Sequence, residues 1–152
     1  MAKIKITETE LRSLIAEGVK RIIREEMEAQ ESNGKIVDLI SFLHNAQLPI
    51  REMHWNTRNN ALHLLTDETI GELLDWEDRL AETYLGVSGG ELKINEKKPE
   101  SSEFKGMMDD LISLATEVKE NFGDKKEYEN VNAVIDEILE AANKNIYRSE
   151  FK

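Results

Sequence analysis

The sequence has no cysteine, and this absence excludes disulfide bonds and thiolate metal ligands. Any bound metal ion would therefore need imidazole and carboxylate ligands, which leaves hard cations and iron as the metals to consider. No run of about eighteen apolar residues is present, and residues 1–30 lack the apolar stretch and cleavage site of a secretory signal. We therefore expect a soluble, cytoplasmic protein without a membrane partner.

Basic side chains are scarce relative to acidic ones, giving a net charge of -11. Nucleic-acid binding draws on clustered lysine and arginine, so this charge argues against a DNA partner. The balance is uneven, because residues 1–26 carry six basic and five acidic side chains. A basic tail that contacts DNA has little support in this distribution.

Proline is rare, with two residues in 152, and no segment alternates apolar and polar residues with the period of two that a strand needs. Apolar residues recur instead at helical spacing, so the sequence predicts an all-α fold of one domain. Five amphipathic helices are expected, at Thr7 to about 28, 35–56, 60–86, 102–122 and from Asp124 onward.

Local signals refine these helix boundaries. Thr7 with Glu10, and Asp124 with Glu127, have the spacing of capping boxes. The segment AQESNG predicts an end to the first helix, and Pro49 predicts a kink in the second.

The last four helices are separated by one long connection, VSGGELKINEKKPESSE, which has no helical periodicity. Short loops elsewhere and a long central crossover are typical of a ferritin-like four-helix bundle, in which the second and third core helices run parallel. The sequence thus predicts an N-terminal helical extension over residues 1–31 and a ferritin-like bundle over 32–152.

Residues of metal-ligand type share one face of the second core helix. With about 100° per residue, they lie to one side of the core stripe marked by Leu73. They are His63, Asp67, Asp78 and Glu82. Gly71 and Leu74 share this face, so it has the character of a contact surface.

These four side chains cannot bind one ion within one chain, because His63 and Asp78 are separated by about 22 Å of helix rise. The pairs His63/Asp67 and Asp78/Glu82 are, however, spaced symmetrically about a point between residues 72 and 73. Two copies of this helix packed antiparallel about a two-fold axis would place each pair against the opposite pair of its neighbour. The spacing therefore predicts two sites shared by a dimer.

The segment HWNTRNNALHLLTDETIGELLDWEDRLAE, which begins at His54, resembles the Dps-type mini-ferritins. In that family a His-Trp-Asn ends the first core helix, and a His and an Asp one turn apart follow. An Asp and a Glu one turn apart come later, before an Ala-Glu. The resemblance covers about 30 residues, and Trp55 matches the aromatic residue beside the family's iron centre.

This resemblance implies a two-site iron ferroxidase centre with no organic cofactor, in which His54, His63 and Asp67 of one subunit face Asp78 and Glu82 of another. It also implies oxidation of ferrous iron with hydrogen peroxide, and iron storage in a homo-oligomer of twelve subunits. Imidazole and carboxylate groups suit iron in both oxidation states.

Other interpretations remain open. Taken singly, His54 and His63 are ordinary helix-end residues, His44 is structural, and DWEDRLAE is a solvated face with an Asp75–Arg79 pair. The triplets Ile15-Ala16-Glu17 and Ile23-Arg24-Glu25 resemble cleavage motifs in the leaders of phage-packaged proteins. A non-enzymatic structural protein, packaged in a phage virion, is therefore the alternative to the ferroxidase, and an oligomer-packing helix is the alternative to a leader.

Overall fold

The computed structural model describes residues 3–151, apart from the side chains of residues 31 and 32. All regular secondary structure in this part of the chain is helical, which confirms the all-α prediction. The helices are α1 (Glu8–Asn45), α2 (Gln47–Asn56), α3 (Asn60–Ser88), α4 (Phe104–Phe122) and α5 (Glu129–Ser149), with a 3-10 turn at Lys126–Tyr128. The chain forms two compact units, one up to Asn33 and one from Gly34 onward.

In the first unit, the predicted capping box at Thr7 is confirmed. The backbone N–H of Thr7 donates to the Glu10 carboxylate at 2.8 Å, and the N–H of Glu10 donates to the Thr7 hydroxyl at 3.2 Å. These hydrogen bonds stabilise the charged carboxylate and lower the pKa of Glu10. The predicted helix end in AQESNG is wrong, since α1 continues to Asn45. Serine, asparagine and glycine cost a helix at most about 1 kcal/mol each, and no proline stands there to block it.

Pro49 explains where α1 does end. A proline in a helix removes one hydrogen bond and its ring clashes with the carbonyl four residues earlier, which is that of Asn45. The helix stops at Asn45, Ala46 forms a turn, and α2 begins at Gln47. The predicted kink is therefore a complete break, with Pro49 in the first turn of the next helix.

The core of the second unit is built from one apolar stripe on each helix. On α3 the buried residues recur every three or four positions, as an amphipathic helix requires. They are Leu65, Thr66, Thr69, Ile70, Leu73, Trp76, Leu80 and Tyr84. Buried side chains of α1, α2, α4 and α5 complete the same core.

Polar contacts fix the directions of these helices. His44 of α1 contacts Glu77, and His54 of α2 contacts His63, so α3 runs antiparallel to both. Between α3 and α5, the Asn145 amide donates to Glu72 and Arg148 donates to Glu68, which makes those helices antiparallel.

The helices α4 and α5 are also antiparallel, because they are joined by a short connection and Lys119 pairs with Asp136. Since both α3 and α4 are antiparallel to α5, they run parallel to each other. The connection between them, residues 89–103, crosses beside α1, where the Asn95 amide donates to Asp38 and the Asn95 N–H donates to Ser41.

The second predicted capping box, Asp124 with Glu127, is wrong. The chain turns at Gly123, whose φ of 55° favours glycine, and then forms the 3-10 turn before α5 begins at Glu129. No side chain caps the first turn of α5.

Gly106 lies in the first turn of α4, directly beneath the end of the crossover. A Cβ at this position would lie 2.1 Å from the Ser101 Oγ and 2.4 Å from its Cβ. We expect Gly106→Ala to lower the melting temperature, although the same change in an open helical site stabilises by about 1 kcal/mol. Gly86→Ala, which meets no atom within 4 Å, is the matched control and should raise it. If both substitutions stabilise equally in thermal unfolding, the close packing of the crossover on α4 is wrong.

Arg79 clamps α3 to α5 through a bidentate pair with Glu137, at 2.7 and 3.0 Å. The guanidinium lowers the pKa of Glu137, so the pair stabilises the fold at pH above 4.5, the usual value, and this contribution is lost as the pH falls through the folded-state pKa. Glu137→Gln should cost no more than about 1 kcal/mol at pH 7, because both side chains are about half exposed.

The measurement is urea unfolding of wild type and Glu137→Gln between pH 3 and pH 7. The difference between them should shrink below pH 4.5, whereas the control Glu91→Gln should show no such trend. A difference that persists undiminished at the lowest pH would contradict the pairing.

Candidate metal-binding site

A three-residue turn between α2 and α3 brings the two predicted histidines together. Thr57 leaves α2 in extended conformation, and its hydroxyl accepts from the Asn59 N–H at 3.2 Å. The Asn59 side chain then caps α3 by accepting from the N–H groups of Ala61 and Leu62. This tight connection places the last turn of α2 beside the first turn of α3.

His54 and His63 are joined by a reciprocal pair of hydrogen bonds, which we call the histidine clasp. The Nδ1 of His54 donates to the backbone oxygen of His63 at 2.9 Å, and the Nδ1 of His63 donates to the backbone oxygen of His54 at 3.0 Å. The two rings stack with their centres 4.0 Å apart and their planes 21° from parallel. The clasp therefore sets the position and the plane of each imidazole.

The clasp also determines which ring nitrogen is available. A carbonyl oxygen only accepts, so each Nδ1 must carry the proton, and the lone pair of the neutral ring then lies on Nε2. No hydrogen bond to either Nε2 is found within residues 3–151. Histidines that bind metals are commonly held this way, with one N–H on a carbonyl oxygen and the other nitrogen facing the ion.

The predicted carboxylates lie at increasing distances from the clasp along α3. Asp67 is one turn beyond His63 and exposed, whereas Asp78 and Glu82 are exposed in the second half of the helix. Of the described residues, no three His, Asp or Glu side chains form a group that could hold a metal ion. One chain thus brings together two of the five predicted ligands, and the assembly of all five across two copies stays a prediction.

Large apolar side chains are exposed on α2 and on the face of α3 that carries the predicted ligands. Trp55, Leu64 and Leu74 are 65, 53 and 48% exposed, respectively. Gly71 lies on this face as well, and a Cβ there would meet no atom within 4 Å. A surface with this much unburied apolar area beside an open glycine has the properties of a helix-packing interface.

The partner of His44 could not be predicted from the sequence. The Glu77 carboxylate binds the His44 Nδ1 and the Gln47 amide, each at 2.6 Å, so His44 links α1 to α3 as a structural residue. The predicted pair between Asp75 and Arg79 is present at 3.2 Å, but the bidentate pair of Arg79 with α5 was not foreseen. The contacts of Glu77 with His44 and Gln47, and of Arg79 with Glu137, join residues 30 or more positions apart and leave no local signal.

A charged groove of about 680 Å³ lies between α3 and α5. Its acidic side chains include Glu68, Glu72 and Glu137, and each is already bonded to a basic or amide group across the groove. The first pair lowers the pKa of Glu68 and the last that of Glu137. Because these carboxylates are paired between α3 and α5, the groove is a helix–helix contact and not the candidate site.

The fold and the clasp define the class of protein as an all-helical bundle with a histidine pair at the turn between two of its helices. The chain belongs to the family of unknown function DUF5856, whose model matches residues 54–148. The match begins at His54 and covers α3, α4 and all but the last residue of α5. The family description assigns no activity, so the site has to be interpreted from its own geometry.

Comparisons with curated proteins and with solved structures found no match to this chain. None of the helices in residues 3–151 combines the length and the apolar character needed to cross a membrane.

The clasp predicts the tautomer of both histidines. In ¹⁵N-detected NMR of the metal-free protein near pH 8, we expect Nδ1 of His54 and His63 to carry the proton and Nε2 to be unprotonated. His63→Ala should release the His54 ring from its stack and broaden or shift its signals, whereas His44→Ala should leave them unchanged. Protonated Nε2 in either clasp residue would contradict the geometry.

Proposed function

We propose that this protein is a ferritin-like, Dps-type ferroxidase that binds ferrous iron between two copies of the chain and oxidises it. The proposal rests on the histidine clasp, because its Nδ1 contacts leave the Nε2 atoms of two imidazoles available beside an exposed face that carries Asp67. Imidazole nitrogen with carboxylate oxygen is a suitable donor set for iron.

The helix directions support the ferritin-like part of the proposal. A ferritin-like bundle has short loops within each helix pair and one long crossover between parallel second and third helices. Here the part of α1 from Gly34 onward, together with α2, forms the first core helix, interrupted at Ala46, and α3, α4 and α5 are the others. The parallel pair is α3 and α4, and residues 89–103 are the crossover.

Two copies are needed because of the rise of α3. His63 and Asp78 are fifteen residues apart, or about 22 Å along the helix, which no single ion bridges. An antiparallel copy of α3 centred between residues 72 and 73 would bring Asp78 and Glu82 of the partner against His63 and Asp67. The exposed Leu74 and the open Gly71 lie near that centre and would supply the apolar contact and the close approach.

The reaction proposed for this shared site transfers two electrons from ferrous iron to hydrogen peroxide. Two ferrous ions each lose one electron, and one hydrogen peroxide accepts both and yields two hydroxide ions. The imidazoles of the clasp hold iron in either oxidation state, while Asp67 and the partner carboxylates offset the added positive charge of the ferric product. The resemblance to mini-ferritins implies that the ferric product is stored as mineral in a twelve-subunit shell.

The test is anaerobic loading with ferrous iron, followed by peroxide, with oxidation monitored by absorbance. Asp78→Asn/Glu82→Gln keeps the shape of both side chains but removes two anionic ligands, and it should slow oxidation at least tenfold. The matched control Glu72→Gln/Asp75→Asn changes two carboxylates of the same helix that lie on its α5 side, and it should leave the rate near that of wild type. Equal rates in wild type and in Asp78→Asn/Glu82→Gln would remove the assignment.

Subunit mixing tests whether the site is shared. His54→Ala/His63→Ala subunits and Asp78→Asn/Glu82→Gln subunits should each be inactive alone. Unfolded together and refolded as an equal mixture, they should recover about one quarter of the wild-type activity, because half the dimers are mixed and each mixed dimer has one intact site of two. No recovery in refolded, dimeric mixtures would show that all ligands come from one chain or that the site does not exist.

A non-enzymatic structural protein is the second candidate, and the same clasp is the observation that favours it. The His54 carbonyl lies in the last turn of α2, where helix carbonyls lack partners, and the His63 ring supplies one. On this interpretation the histidines only close the turn. Iron titration separates the two candidates, since the structural role predicts no iron-dependent change in either imidazole.

A further inference from the structure

Thr66 of α3 is a buried polar residue that contacts the histidine clasp. It is fully buried, and its hydroxyl lies 2.8 Å from the backbone oxygen of Leu62 and 3.0 Å from that of His63. Both of these oxygens only accept hydrogen bonds, so the single hydrogen of the hydroxyl is directed to one of them. The lone pairs of the Thr66 oxygen are therefore free to accept a hydrogen bond from another group.

The His54 ring supplies that donor. Its Nδ1 lies 3.3 Å from the Thr66 hydroxyl and 2.9 Å from the backbone oxygen of His63. The ring N–H is thus shared between two acceptors, which fix its direction more narrowly than one acceptor and restrict rotation of the ring about its Cβ–Cγ bond. The clasp is therefore asymmetric, since the Nδ1 of His63 has a single acceptor, the His54 oxygen, in the described part of the chain.

Thr69, on the next turn of α3, shows that this contact is not a general property of a threonine in a helix. Thr69 is also fully buried, and its hydroxyl donates to the backbone oxygen of Leu65 at 2.7 Å. Thr66 makes the same bond to the preceding turn through Leu62. No histidine among the described residues hydrogen-bonds to Thr69, so the contact with His54 is what distinguishes Thr66.

We propose that Thr66 is a positioning residue for the iron site, which holds the His54 imidazole so that its Nε2 is presented to the ion. This role rests on the proposed function, because it concerns the ligand His54. In the neutral ring, an acceptor at Nδ1 favours the tautomer with the proton on that nitrogen and increases the basicity of Nε2. Thr66 is buried and acts through the imidazole, not as a ligand itself.

The test compares Thr66→Val with Thr69→Val, which each replace one buried hydroxyl of the same helix by a methyl group of similar shape. Neither change leaves a backbone oxygen unpaired, because each helix carbonyl also accepts from the N–H four residues later, so both variants should fold. In ¹⁵N-detected NMR of metal-free protein near pH 8, Thr66→Val should increase the Nε2-protonated tautomer of His54 severalfold and speed the exchange of its remaining Nδ1 hydrogen with water. Thr69→Val should leave the His54 signals as in wild type.

Rescue by serine separates positioning from packing. Thr66→Ser keeps the hydroxyl but removes the methyl group, so it should restore the wild-type tautomer ratio of His54. A role in packing alone predicts the opposite order, because valine fills the site and serine leaves a small cavity. Unchanged His54 signals in Thr66→Val, or equal changes in Thr66→Val and Thr69→Val, would overturn the positioning role.

Anaerobic titration calorimetry with ferrous iron links this positioning to metal binding. Thr66→Val should bind ferrous iron about tenfold more weakly than wild type, whereas Thr66→Ser and Thr69→Val should stay within about twofold of it. Equal iron affinity in wild type and Thr66→Val would overturn the proposal. If wild type itself binds no iron, the proposed function fails, while the NMR comparison still decides whether Thr66 orients His54.

Discussion

The reciprocal hydrogen bonds between His54 and His63 are the interaction on which the candidate site depends. They fasten the end of α2 to the start of α3, align the two imidazole rings in a stack, and assign the proton of each ring to Nδ1. The same contact thus closes a turn and exposes two Nε2 lone pairs. Without the short connection through Thr57 and Asn59, the two rings would have no fixed geometry, and neither could act as a preoriented ligand.

A second constraint is the rigidity of α3. A straight helix keeps residues fifteen positions apart at a separation of about 22 Å, so Asp78 and Glu82 cannot approach the clasp of their own chain. The carboxylate of Asp67 is exposed closer to the clasp. The side chains of Leu64 and Leu74 are exposed as well, and Gly71 has open space around its Cα. Exposed apolar side chains cost free energy on a surface that stays in water, whereas they stabilise a surface that packs against another copy. The proposed chemistry therefore depends on whether the protein forms a dimer through this surface of α3.

Much of the helical framework could be predicted from sequence, because apolar periodicity is a local property. The apolar stripes predicted helices at 60–86 and 102–122, within two residues of the observed bounds of α3 and α4. The Thr7 capping box was found for the same reason, since its two residues lie in one turn. Two predictions were wrong where the local signals are weak. The glycine and asparagine of AQESNG do not end α1, and Asp124 precedes a 3-10 turn instead of capping α5.

Side-chain pairings between helices could not be predicted in the same way. The partners of His44 and Arg79 lie on other helices, far along the chain, and their identity depends on how those helices are rotated. The histidine clasp is an intermediate case. The resemblance to the mini-ferritins implied that His54 and His63 lie in one site, but the stacking and the exchanged carbonyl contacts follow from the conformation of three turn residues. The spacing of the predicted ligands along α3 was visible in the sequence, whereas the proposed meeting of these ligands across two copies requires an assembly that one chain does not form.

The most direct measurement is a crystal structure of the protein soaked anaerobically in ferrous iron, with data collected at the iron absorption edge. The account predicts anomalous density between two copies of α3, bonded to an Nε2 of the clasp and facing Asp78 and Glu82 of the partner subunit. Iron density confined to the groove between α3 and α5, or the absence of any two-fold contact through α3, would contradict it.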